Sequence, residues 1–317
     1  MTATTPTTTP LAAPTLGTPS SAPARLLKSE FLKIRTTNVW WLFLIGAFVF
    51  TALSLWIWMG TGAGQINNAA AASSEPFVPP EGLSPVEVET ARQQWELEHS
   101  LTRTLVSVAA NVYTSGQFFG LMFAMLLGAI LVTNEYFHQT ATATFLATPH
   151  RTAVIVAKLA TAVLAAGFFW IFSTAISVAA GVMFFNAKGY GPQLDQWPVQ
   201  RAILFNGLAY ALWGVLGVGL GVLIRNQIGA VLTGAISYVL GTQIVQGIAF
   251  LISVWLDATW PLKIMVAWPA VASSVMISPE KLYPEAPAWW VGGLVLVAYG
   301  VVFGVVGTLI MRKRDIS

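Results

Sequence analysis

The sequence predicts an all-α integral membrane protein with six transmembrane helices, an N-terminal cytoplasmic interfacial helix and an external re-entrant hairpin before the last helix. Three observations carry that reading. Of 317 residues, 56% are hydrophobic and only 9% charged, where an ordinary soluble domain carries about 25% charged residues. The apolar residues gather in six runs, at 39–60, 108–132, 153–185, 202–224, 228–255 and 289–311, each long enough for the roughly 20-residue helix that crosses a bilayer. The runs are apolar all round, whereas the strands of a β-barrel alternate. The segments between them are too polar to cross, because unpaired backbone groups in hydrocarbon cost several kcal/mol each. Cysteine is absent, which removes disulfides and thiolate metal sites.

The cations set an expected orientation. With the N-terminus inside, ten fall on inner segments (Arg25, Lys28, Lys33, Arg35, Arg151, Lys158, Arg225, Arg312, Lys313, Arg314) and six on outer ones (Arg92, Arg103, Lys188, Arg201, Lys263, Lys281). That bias places both termini in the cytoplasm of a cell that keeps this chain in its plasma membrane. Ten of the thirteen acids then face outward, leaving Glu30, Glu135 and Asp315 inside.

Residues 1–24, rich in Thr, Pro and Ala, read as a disordered cytoplasmic tail with no apolar core to offset its ordering entropy. No basic end precedes an apolar run there, so it does not read as a signal peptide. Residues 25–317 form one transmembrane domain. In "ARLLKSEFLKIRTTNVWW", Leu27, Phe31 and Ile34 recur at i, i+4 and i+7 while Lys28, Lys33 and Arg35 point elsewhere, the pattern of a helix lying on the inner leaflet. It is either an anchor or a docking element, and Trp40 and Trp41 follow at headgroup level.

A large external loop is expected over 61–107. Within it "SPVE" at 84–87 is a capping box with Pro at the first helical position, so an acidic helix starts there. Leu97, Leu101, Leu105 and Val108 recur every four residues, consistent with a helix running straight into the second span. In the third span Lys158 lies near one end, where its stem can snorkel to the headgroups. The segment 257–288 holds an apolar stretch broken at Trp268 and Pro269, too short to span, and reads as a re-entrant or interfacial hairpin that protein must cover.

Several chemistries are missing. No acid or histidine lies within the apolar runs, as ion-driven transporters usually require, and no phosphate-binding Gly-x-x-x-x-Gly-Lys-[Ser/Thr] loop is present. His99, His138 and His150 show no metal-ligand spacing, and no nucleophile has a partnered base. The chain is therefore read as no enzyme, without a metal site and without an energy source of its own.

One polar stretch stands out, "NEYFHQTATATFLATPHRTAVIVAKL" at 134–159. Thr and Ala permit a short helix, Phe145 and Leu146 give it an apolar knob, Pro149 marks a boundary, and Arg151 and Lys158 follow. The pattern Glu135, Thr140, Phe145-Leu146, Thr148-Pro149, Arg151 and Lys158, with "SEFLKIRTTNVWW" ahead of the first span, resembles the permease subunits of ABC-2 type transporters, in particular an actinobacterial type whose ATPase is a separate chain. The likeness covers nearly the whole chain after the tail. It departs at Gln139, where many members of the family have Gly to ease a tight turn.

The resemblance implies that 134–152 is a coupling segment in which Glu135, Thr140, Phe145, Leu146, Pro149 and Arg151 form or orient the contact with a nucleotide-binding ATPase subunit. Leu27, Phe31, Lys33, Ile34 and Arg35 would form the interfacial helix. It implies two ATPase copies carrying ATP and Mg, with no cofactor on this chain, and either a homodimer or a pairing with a second permease. Glu135 and Arg151 have plainer roles open to them, capping loop backbone and anchoring the third span. The lipid bilayer is a partner, and nucleic acid is not. A substrate path is expected along the first, second and fifth spans, with Phe119, Phe123, Gln243 and Gln246 as candidates. The two glutamines share a helix face and serve either the path or helix-to-helix contact. Uncharged spans suit an amphipathic drug, lipid or peptide. A non-transporting immunity or sensory protein is the competing reading.

Overall fold

The computed structural model describes residues 22–37, 39–82, 84–140, 151–283 and 285–313. Residues 1–21 of the expected tail and the residues Phe145, Leu146 and Pro149 lie outside them, while the last three residues of that tail belong to the first helix. The described residues fold into helices only: α1 (Ala22–Thr36), α2 (Val39–Ala72), α3 (Pro85–Glu98), α4 (Leu101–Tyr113), α5 (Gln117–Phe137), α6 (Arg151–Ala187), α7 (Trp197–Leu223), α8 (Gln227–Leu256), α9 (Trp260–Ile264), a short 3-10 turn (Met265–Ala267), α10 (Pro269–Ile277) and α11 (Trp289–Lys313). Six helical stretches are long and apolar enough to cross a membrane, with α3, α4 and α5 together making the second.

The second span is the axis of the bundle. Residues Leu121 to Val132 are buried without exception, because α5 packs against α2, α6, α7 and α8 at once. Its closest neighbour is α7, and glycines permit the approach. A Cβ at Gly217 would lie 1.9 Å from the Met125 carbonyl oxygen, one at Gly221 2.6 Å from that of Ala129, and one at Gly128 2.4 Å from that of Gly214. With no hydrophobic drive between helices in lipid, such close backbone packing is a main source of association. The opposite condition holds for α2, α8 and α11, whose Trp56, Ile57, Leu240, Ile244, Leu294 and Val301 face outward.

Two sequence expectations change here. The first span does not end near Gly60: α2 continues through "TGAGQINNAAAA" to Ala72, because Gly62 lets it close on Val108 and Ile66 is fully buried. The helix expected to run straight into the second span is broken twice. It starts as expected, with Glu87 N–H donating to Ser84 Oγ and Ser84 N–H donating to Glu87 Oε2, but it restarts at Ser100, which caps Arg103 N–H. It breaks again at 114–116 inside the apolar run. There the Gly116 carbonyl accepts from Tyr210 (3.1 Å), the Tyr210 hydroxyl lies 3.2 Å from Ser173 Oγ, and Ser115 pairs with Ser177 at 3.2 Å. The backbone at the break is kept bonded by turns, Ser115 N–H donating to the Val112 carbonyl and Gln117 N–H to the Thr114 carbonyl, while side chains from α6 and α7 tie it to the bundle.

The hairpin before the last span matches expectation. α9 with its 3-10 turn and α10 meet at 99°, and the corner is Trp268-Pro269, where Pro removes a backbone donor. Its second arm is pinned inside the bundle: Ser273 is fully buried, its hydroxyl accepts from Trp213 Nε1 (2.8 Å) and its carbonyl from Gln117 Nε2 (3.3 Å). Arg201, at the start of α7, donates to the Ser278 carbonyl at the end of α10 (2.6 Å) and lies 4.8 Å from the Trp289 ring centre. The backbone of the second arm is covered by protein, as hydrocarbon depth demands, while Trp260, Lys263 and Ile264 of the first arm are exposed.

Replacing Gly217 by Val should separate α5 from α7, since the nearest atoms are backbone and cannot swing away. The expected outcome is a loss of monodisperse protein in detergent and a fall in Tm, while Gly247→Val, at a position with open space around it, leaves both unchanged.

Candidate functional site

At the end of the bundle that carries α1, four charged side chains form a closed ring. Glu30 and Lys33 come from α1, Glu135 from the last turn of α5 and Lys158 from the second turn of α6. Lys33 Nζ lies 2.6 Å from Glu30 Oε1 and 2.5 Å from Glu135 Oε1; Lys158 Nζ lies 2.9 Å from Glu30 Oε2 and 2.7 Å from Glu135 Oε1. Each carboxylate therefore holds both ammonium groups. Glu30, Glu135 and Lys158 are 1%, 4% and 0% exposed, so the ring is a buried ionic lock with no net charge.

Helical geometry explains the assembly. Glu30 and Lys33 are three apart and share one face of α1, and the half-buried Leu27 and Ile34 seat the helix beside them. Burial alone would pull the Lys33 ammonium down, but hydrogen bonds and charge from Glu135 and Glu30 outweigh it and hold the group above its ordinary value. Two sequence expectations are corrected by this ring. Lys158 does not snorkel: two carboxylates within reach replace the headgroups as its solvent. Lys33 does not point away from the protein but turns into it.

The exit from α5 is equally defined. Gln139 N–H donates to the Tyr136 carbonyl (3.3 Å) and Thr140 N–H to the Glu135 carbonyl (2.9 Å), the paired bonds of a Schellman ending. The residue after the cap must then be left-handed, and Gln139 is, with φ of 55°. The turn that glycine would ease is made here by glutamine itself, at the steric cost of its Cβ. Beside the turn lies a cavity of about 330 Å³ lined by Lys33, Thr37, Asn134, Glu135, His138 and Thr140 over a floor of Leu127, Ile130 and Leu131.

The structure places the remaining candidates as follows. Thr140 is exposed, and Arg151 is the first residue of α6. On α1, Phe31 and Arg35 are exposed. The four path candidates lie on α5 and α8. Phe119 stacks on Phe50 of α2 at 3.9 Å and Phe123 lies 5.4 Å from Phe43, so both serve the contact between the first two spans. Gln243 is exposed and Gln246 half-buried on α8. A different apolar cavity, of about 260 Å³, opens between α5, α7, α8, α11 and the hairpin, lined among others by Met125, Trp213, Gly234, Tyr238, Trp268 and Phe303. Among the described residues, no group of three or more His, Cys, Asp and Glu is placed to hold a metal ion.

The fold and its buried ring define a multi-pass helical membrane protein. Compared with protein-family models and with curated proteins, the chain matches neither.

Removing one member of the ring leaves an uncompensated buried charge, which costs about 3–5 kcal/mol. Lys158→Met should therefore lower stability by that order, whereas Lys158→Met combined with Glu135→Gln restores neutrality and recovers a large part of it. Thermal denaturation of both in one detergent checks the cycle. The Lys33 contribution has a defined pH window: its folded value is raised, so it is complete below pH 10.5 and lost as pH rises through the raised value. Gln139→Gly should leave stability unchanged or raise it by up to about 1 kcal/mol, relief of the left-handed strain being offset by unfolded-state entropy.

Proposed function

We propose that this chain is the permease subunit of an ATP-driven ABC-2 type exporter, moving an amphipathic drug, lipid or peptide with energy from a separate ATPase subunit. The observation that carries the reading is the ionic ring. Glu135 closes the second span and Lys158 opens the third, so the polar segment between them is clamped on both sides to the same interfacial helix. A force applied to that segment by a soluble partner enters α1, α5 and α6 together. With Glu135 buried, its role in such a contact is to orient the segment, while the exposed Thr140 offers surface.

Two copies, or this chain with a second permease, would complete the pathway, and two ATPase subunits carrying ATP and Mg would bind below, on the cytoplasmic side of the plasma membrane. The chain itself would do no catalysis. The uncharged outer faces of α2 and α8 suit both lipid and a second protomer, and the aromatic cavity beside Trp213 and Tyr238 suits an uncharged, ring-bearing part of a substrate.

Affinity purification from native membranes should bring down a stoichiometric ATPase with vanadate-sensitive turnover. Glu135→Gln paired with Lys158→Met should keep insertion yet reduce substrate-stimulated turnover several-fold. A chain that purifies from lipid discs with no ATPase refutes the proposal and favours the immunity or sensory reading.

A further inference from the structure

On the outer side of α1, away from the ring, an apolar cleft of about 220 Å³ opens between α1, α2, α5 and α6. Its floor is Leu127, Ala165 and Phe169, all buried. Its rim is Phe31, Leu164 and Phe168, 55%, 63% and 50% exposed. The guanidinium-bearing side chain of Arg35 also lines it. The cleft is thus greasy inside, open sideways to the surroundings of the bundle, and cationic at one edge.

Charge on α1 sharpens the picture. The helix carries four cations and one acid, Arg25, Lys28, Lys33 and Arg35 with Glu30. The ring consumes Lys33 and Glu30. Arg25, Lys28 and Arg35 are exposed, and none makes an ion pair or side-chain hydrogen bond among the described residues. Lys28, Phe31 and Arg35 fall at i, i+3 and i+7, on one helical face, so two unpaired cations flank the aromatic rim. The free charge of this surface is wholly positive, and it borders a slot shaped for hydrocarbon at the depth where an interfacial helix meets headgroups.

We propose that this cleft is a binding site for one anionic glycerophospholipid, an acyl chain lying over Leu127, Ala165 and Phe169 and the phosphate held by Arg35 with Lys28. Arg35 suits the role because its planar fork pairs with phosphate oxygens in a bidentate way. A zwitterionic lipid offers the same chain but cancels the headgroup charge, so the site discriminates by headgroup. The occupant seats α1 from the outside while the ring seats it from the inside. The site rests on the fold alone and does not depend on the transport reading.

The test is native mass spectrometry of the full chain released from lipid discs containing equal phosphatidylglycerol and phosphatidylcholine. The expected result is one retained phosphatidylglycerol per chain, identified by its adduct mass. Each of Arg35→Gln and Lys28→Gln should weaken retention about fivefold, the effect of losing one cation at an anionic surface. Leu164→Trp fills the rim at an outward-facing position and should remove the adduct without lowering Tm. Equal retention of both lipids, or an adduct indifferent to Arg35→Gln and Leu164→Trp, would overturn the proposal. So would a phosphate or free fatty acid adduct in place of the intact lipid.

Discussion

Gathering four charged groups, three of them buried and the fourth half-buried, at one end of a bundle otherwise made of hydrocarbon is the constraint on which the arrangement of this protein depends. A lone carboxylate or ammonium there would be neutralised or expelled. Two of each, disposed so that every carboxylate touches both cations, can stay charged only while α1, α5 and α6 keep their relative positions. The energy of the ring is small on balance, because desolvation cancels most of the attraction. Its specificity is large: no sliding or rotation of α1 preserves all four contacts. Buried ion pairs are in general weak contributors to stability, and a role in fixing register is their best-attested use.

The rest of the bundle follows from that fixed corner and from α5. With Glu135 locked at one end and Gln117 bonded to the hairpin at the other, α5 is held at both termini, and the glycines of α7 let a second helix lie directly on it. The outer spans then need only apolar faces. Thr242 offers an example of how sparingly polar groups are used: its hydroxyl donates to the Tyr238 carbonyl on its own helix and accepts from Trp268 Nε1 of the hairpin.

Much of this was legible in the sequence, and the pattern of success is physical. The six spans follow from length and hydropathy, which report the bilayer directly. The capping box at Ser84 and the Trp268-Pro269 corner follow from local chemistry that needs no tertiary partner. The ring was not foreseen, although its signal was present: Glu30 is the sole acid of its helix, Lys158 the sole charge of its span, Glu135 the sole acid of α5, and all were assigned to one side of the membrane. Lys158 was instead read as a snorkel and Glu135 as a coupling residue or a loop cap, while Glu30 was given no role. The double break in the second span was hidden for the opposite reason. Its leucines keep helical spacing across the first break, which Ser100 caps, and at the second the partners Tyr210, Ser173 and Ser177 are remote in sequence. Cavities were missed because they belong to no single helix.

That second break has a mechanical consequence. A continuous helix resists bending through its own ladder of backbone bonds, but at 114–116 the ladder thins to turn bonds, and lateral bonds from Tyr210 and Ser177 add to them. The stiffness of the joint is therefore shared between the span and α6 and α7. The angle between α4 and α5 therefore depends on how α6 and α7 sit, since Ser177 and Tyr210 both hold the joint.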